Sequence, residues 1–65
     1  MSTAKERVED ELKELEERLT KLKAFVLTEA FSKLSKVQQM LLMSQIDIMT
    51  SYRNCLHRRL HFWED

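Results

Sequence analysis

This sequence predicts an all-α fold: an antiparallel two-helix hairpin with a short helical corner, assembling as a homo-oligomeric helical bundle. Three observations predict it. The 65 residues include no glycine and no proline, so the residues that usually make strand-connecting turns are missing, while the abundant Leu, Glu, Lys, Arg and Met favour helix. The first half carries apolar residues at alternating steps of four and three, the seam of a heptad pattern. The second half carries two such seams side by side, more apolar surface than one partner helix can cover.

Helix 1, about residues 3–27, should start near Ser2 or Thr3, either of which can cap free backbone amides, with Glu6, Glu9 and Asp10 in the early turns favoured by the helix dipole. Its seam is Val8, Leu12, Leu15, Leu19, Leu22 and Val26. The remaining surface alternates in charge, with Glu9 to Lys13 and Glu14 to Arg18 at the supportive four-residue spacing. The corner, residues 28–35, follows where Phe25, Leu27, Phe31 and Leu34 crowd the stripe. A short helical turn is expected around Glu29 to Leu34, with Phe31 and Leu34 plugging the closed end of the hairpin. Ser35 followed by Gln38 reads as a capping box that opens helix 2.

Helix 2, about residues 36–62, has one seam of Leu42, Ile46, Met49, Arg53, Leu56, Leu60 and Trp63. A second runs along Leu41, Gln45, Ile48, Tyr52 and Cys55. A short connection makes the helices antiparallel neighbours, so helix 1 can cover the first seam and leave the second exposed. Exposed apolar stripes of that length mark association, and a single domain of residues 1–65 buries too little surface to be comfortable alone. Leu41, Gln45, Ile48, Tyr52 and Cys55 are therefore the candidate oligomer interface, with a second copy of the chain as partner.

Lys plus Arg and Asp plus Glu both number 11, so the balance gives no general case for gripping a nucleic acid. One cysteine excludes an intrachain disulfide and suits a reducing compartment. No stretch approaches the ~20 apolar residues of a membrane span, and the charged start has no apolar run of a secretory signal. The expected location is cytoplasmic, with no membrane partner.

The chemistry-bearing residues gather at the end of helix 2. Arg53, His57, Arg58, Arg59 and His61 are interleaved with Tyr52, Phe62 and Trp63. Guanidinium groups hold phosphates through paired hydrogen bonds, and aromatic rings stack on bases. The candidate ligand-binding residues are Gln45, Tyr52, Arg53, His57, Arg58, Arg59 and Trp63. A second reading stays open, in which this basic end pairs with the acidic start of helix 1 at Glu6, Glu9, Asp10 and Glu11. Arg53 is the sharper case, because a cation in a seam either meets a carboxylate such as Asp10 or Asp47 or faces an anion between chains. His57 and His61 share a helix face, but two ligands do not make a zinc site, so neither metal nor cofactor is expected. Nothing in the spacing marks a catalytic constellation or a phosphate loop, and an enzyme is not expected.

The stretch KLKAFVLTEAFSKLSKVQQMLLMSQIDIMTSYRNCLHRRL resembles a group of short phage and prophage proteins. Lys21, Leu22, Phe25, Glu29, Phe31, Leu34, Gln39, Leu41, Leu42, Gln45, Met49, Tyr52, Leu56 and Arg59 carry the resemblance, over more than half the chain. The chain departs from that group at Ser35–Val37, where an acidic run is more usual, and in its basic, aromatic tail. By looser analogy of form, tiny oligomeric helical phage proteins include sponges that sequester nucleotide signals of bacterial immunity. The resemblance implies a phage-encoded anti-defence binding protein, holding a cyclic dinucleotide or a cyclic ADP-ribose type of signal in inter-subunit pockets, in the cytoplasm of the infected host. The alternative is a coiled-coil-like interaction module that lays its spare seam on a host or phage protein and blocks it. Nucleic-acid binding through the tail ranks below both.

Overall fold

The computed structural model describes residues 3–64, and its helices are α1 (Ala4–Phe25), α2 (Glu29–Ser32) and α3 (Lys36–His61). Each begins at a hydroxyl side chain. Thr3, Thr28 and Ser35 accept hydrogen bonds from the amides of Glu6 (3.1 Å), Phe31 (3.3 Å) and Gln38 (3.2 Å), which satisfies donors that have no partner inside the helix. Of the two cap candidates for α1, Thr3 is in place; Ser2 lies outside the described residues. Ser35→Ala is expected to cost about 1 kcal/mol, read from the shift of the urea midpoint at fixed protein concentration.

α1 stops at Phe25, two residues short of the end its apolar spacing predicts. Thr28 is the cause. Its hydroxyl donates to the Phe25 carbonyl at 2.6 Å and accepts from the Phe31 amide, so one side chain closes α1 and opens α2. Val26 and Leu27 continue the apolar run but fall in the turn, and Leu27 ends 87 % exposed.

The corner is a single turn of helix. Phe31 is half-buried and meets Phe25 edge to face, with ring centroids 6.2 Å apart, the arrangement aromatic quadrupoles favour. Leu34 does not join the plug as expected; it is exposed, because α2 ends at Ser32 and carries it past the closed end. Gln39 works there instead. Its amide donates to the carbonyls of Leu34 (2.9 Å) and Ser32 (3.3 Å), satisfying acceptors left free where α2 ends.

α3 returns antiparallel along α1, bringing Leu56, near its end, against Val8, Leu12 and Leu15, near the start of α1. Leu56 is fully buried, and Met49, Leu60 and Trp63 pack on this cluster. Leu19 and Ile46 are also buried, while Leu22, Val26, Leu42 and Arg53 are half-buried. The inward seam is thus the one at Leu42, Ile46, Met49, Arg53, Leu56, Leu60 and Trp63. Leu41, Gln45, Ile48, Tyr52 and Cys55 remain exposed on the neighbouring line. The result is a rod of 48 × 19 × 15 Å. No helix among the described residues is long and apolar enough to cross a membrane.

Candidate functional site

The helical repeat spreads the expected ligand residues around α3. Arg53 and Trp63 turn toward α1. Trp63 is half-buried against the core cluster, so it cannot offer both faces to a base while the hairpin is packed. Arg53 is half-buried and donates to the Asn54 side-chain oxygen at 3.1 Å. Of the two alternatives for this cation, the carboxylate one is not formed with Asp10 or Asp47 among the described residues.

Tyr52 and His57 take the two flanks of the helix interface. The Tyr52 hydroxyl donates a short hydrogen bond to a Glu11 carboxylate oxygen. On the other flank His57 Nε2 lies 3.6 Å from Glu16 Oε2, an ion pair when the imidazole is protonated. The two helices are therefore tied by one phenol and one imidazole, and the broad pairing of arginines with Glu6, Glu9 and Asp10 is not formed among the described residues. The exposed pair Glu14–Arg18 stands at 3.8 Å; Glu9 and Lys13 do not pair.

The Glu11 hydrogen bond, with a smaller contribution from burial and the carboxylate charge, raises the Tyr52 pKa above its usual 10.0, because losing the proton removes the donor. For such a group the contact is intact below the unfolded-chain value and is lost as pH climbs through the raised native value. Phenolate absorbance should therefore titrate above pH 10.0 in the native protein. Glu11→Ala should bring the midpoint down toward that value; an unchanged midpoint would remove Glu11 as the cause.

Arg58 and Arg59 lie on either side of the outward line of α3 that Phe62 occupies, about 100° apart, with Arg59 on the Tyr52 side, where its charge acts on the phenol. With Ser51, Asn54, Cys55 and Phe62 they line a shallow concavity on the outer face of α3. These six recur at steps of three and four, one face of three helical turns. Phe62, at the helix cap, is 71 % exposed, and the His61 ring abuts it edge to face at 4.7 Å. No carboxylate of the described residues pairs with either arginine. The surface offers two planar cations, hydroxyl, amide and thiol groups, and one exposed aromatic ring, the chemistry that suits a phosphate attached to a base.

Phe62, Ser51 and Asn54 were missing from the expected ligand residues. The signal for Phe62 was its place three residues beyond Arg59 and four beyond Arg58, on their face rather than on the seam of Leu60 and Trp63. A second groove, with Leu12 and Leu60 at its base, is rimmed by Glu9, Glu16 and Glu17 against Lys13 and Lys21, a balance that disfavours an anion. No group of three or more metal-ligating side chains gathers among the described residues.

A family model, Sequestin, matches residues 2–62. The chain belongs to the Sequestin family. The match takes in α1, α2 and α3 entire. No curated protein and no solved structure matches the chain.

Proposed function

We propose that this member of the Sequestin family is a stoichiometric binding protein that sequesters a small nucleotide signal, with no catalytic step. Arg58 and Arg59 hold the phosphates, Phe62 stacks on a base, and Ser51 and Asn54 supply polar contacts. The observation that carries the reading is the concavity that gathers two unpaired guanidinium groups with an exposed ring on one face of α3. The family name, which denotes sequestering, and the resemblance to short phage proteins support the same reading. The signal is of the cyclic dinucleotide or cyclic ADP-ribose type, and the setting is phage defence against host immunity in the infected cell. Because the concavity is shallow, a second copy of the chain completes the pocket.

A panel of cyclic dinucleotides and cyclic ADP-ribose isomers tests this by thermal shift and calorimetry. At least one member should raise the melting temperature at micromolar concentration. Flat traces and no heat across the whole panel would end the proposal.

A second reading draws on Val37, Met40, Leu41, Met43 and Ile48, all exposed on α3. These fit a module that docks on a host or phage protein. Affinity capture from host lysate separates the two readings: one stoichiometric protein partner supports docking, and a co-purifying ultraviolet-absorbing small molecule supports sequestration.

A further inference from the structure

Tyr52 stands on the rim of the outer concavity of α3. Tyr52, Cys55 and Arg59 recur at steps of three and four, so the line of Cys55 and Arg59 that borders the concavity runs on to Tyr52. The Arg59 charge reaches the phenol and opposes the effect of the Glu11 carboxylate on it. The Tyr52 hydroxyl is thus a third donor beside the two guanidinium groups, and Tyr52 is 42 % exposed. In the free chain that donor is taken: it gives its hydrogen bond to Glu11 of α1. Arg59, close by, pairs with no carboxylate among the described residues, Glu11 included.

A carboxylate oxygen on a phenol, beside an unpaired guanidinium, stands where an oxygen of a bound phosphate would find the same partners. Both anions accept the same charge-assisted hydrogen bond. They cannot share it, because a hydroxyl has one proton to donate. The charge of Glu11 also repels any second anion brought to that position.

We propose that Glu11 is a built-in competitor of the ligand: its carboxylate keeps the place on Tyr52 that a ligand phosphate takes, and binding exchanges the Tyr52–Glu11 contact for a Tyr52–phosphate hydrogen bond. This deepens the sequestration reading and rests on it for the nucleotide; it assigns Tyr52 as a ligand contact and Glu11 as the residue that sets how strong a ligand must be to displace it. The exchange does not need the hairpin to open. Glu11 is exposed, and a hydrogen bond within reach of water contributes little net stability. The helices stay joined by the cluster around Leu56 and by the His57 contact with Glu16 on the other flank.

Tyr52 is the only tyrosine in the chain, so tyrosine labelled with carbon-13 at Cζ gives one resonance that reports on its hydroxyl. The probe is inorganic diphosphate, titrated at low salt, where the charge of Glu11 is least screened. The resonance should move with diphosphate in the native protein. Glu11→Gln, which keeps the side-chain length and removes the charge, should bind the probe about threefold to tenfold more tightly. Glu11→Ala should gain at least as much with helicity intact, because the position is exposed and Ala favours helix. Tyr52→Phe, followed through the backbone amide of Arg59, should bind more weakly and should shrink the gain from Glu11→Ala. A Glu11 that only ties the helices together would alter thermal stability and leave affinity alone. Unchanged or weaker diphosphate binding in both Glu11 variants, or undiminished binding by Tyr52→Phe, would overturn the proposal. If the Glu11 variants gain affinity for diphosphate and no nucleotide of the panel binds, the sequestration reading fails alone; if a nucleotide binds the native protein and both Glu11 variants equally, the Glu11 proposal fails alone.

Discussion

Leu56→Ala should destabilise the fold by about 2–5 kcal/mol, the largest effect of any single truncation in the core. Among the described residues Leu56 is the one side chain with no exposed surface, and Val8, Leu12 and Leu15 of the facing helix close around it. Its removal takes contacts from both helices at once. A rod with one layer of side chains between two helices has little else to collapse into the space. A domain of 65 residues holds only about 3–10 kcal/mol in all, so the variant should be partly or wholly unfolded at room temperature. Urea titration followed by circular dichroism measures this, at fixed protein concentration because association shifts the midpoint. Ile46→Val, in the same layer, should cost only about 0.5–1.5 kcal/mol. If the two variants prove equally mild, the core is not organised around Leu56.

The place of Leu56 was legible in the sequence, and the reason is periodic. A two-helix protein without glycine or proline has only helix phase left to specify, and steps of four and three fix that phase over many turns. Both seams of α3 are found on the lines the spacing gave, one against α1 and the other in solvent. The corner was less legible, because there local hydrogen bonds outrank apolar spacing. Thr28, a weak helix residue that can bond local backbone, marks the corner, but nothing in the apolar pattern says that α1 would stop at Phe25, or that Gln39 would cap α2 and let Leu34 go free. The candidate site was legible as a segment and not as a face. Basic and aromatic residues are concentrated between Tyr52 and Trp63, but within a helix each step of one residue turns the side chain by ~100°, so neighbours in sequence separate in space. Arg53 and Trp63 were drawn inward by the seam, Tyr52 and His57 were taken by carboxylates of α1, and Arg58 and Arg59 were left with Phe62.

That division makes the binding prediction specific. Arg58→Ala and Arg59→Ala should each weaken the nucleotide by roughly tenfold to a hundredfold, since a hydrogen bond to a charged group contributes about 1.5–3 kcal/mol and 1.4 kcal/mol is a factor of ten. The double variant should bind too weakly for calorimetry. Because both side chains are exposed and take no part in the core, helicity should be unchanged in either variant. Arg58→Lys keeps the charge but loses the planar fork, so it should recover only part of the affinity. Phe62→Ala should lose about 1–3 kcal/mol if a base stacks there, again without unfolding. Trp63→Leu, which keeps an apolar group on the core side, should leave the affinity within a few-fold of the native protein. The comparison of these last two decides the face. If Trp63→Leu abolishes binding in a folded protein while Phe62→Ala does not, the ligand enters between the helices, with Arg53 as its cation, and the outer concavity of α3 has no part in holding it.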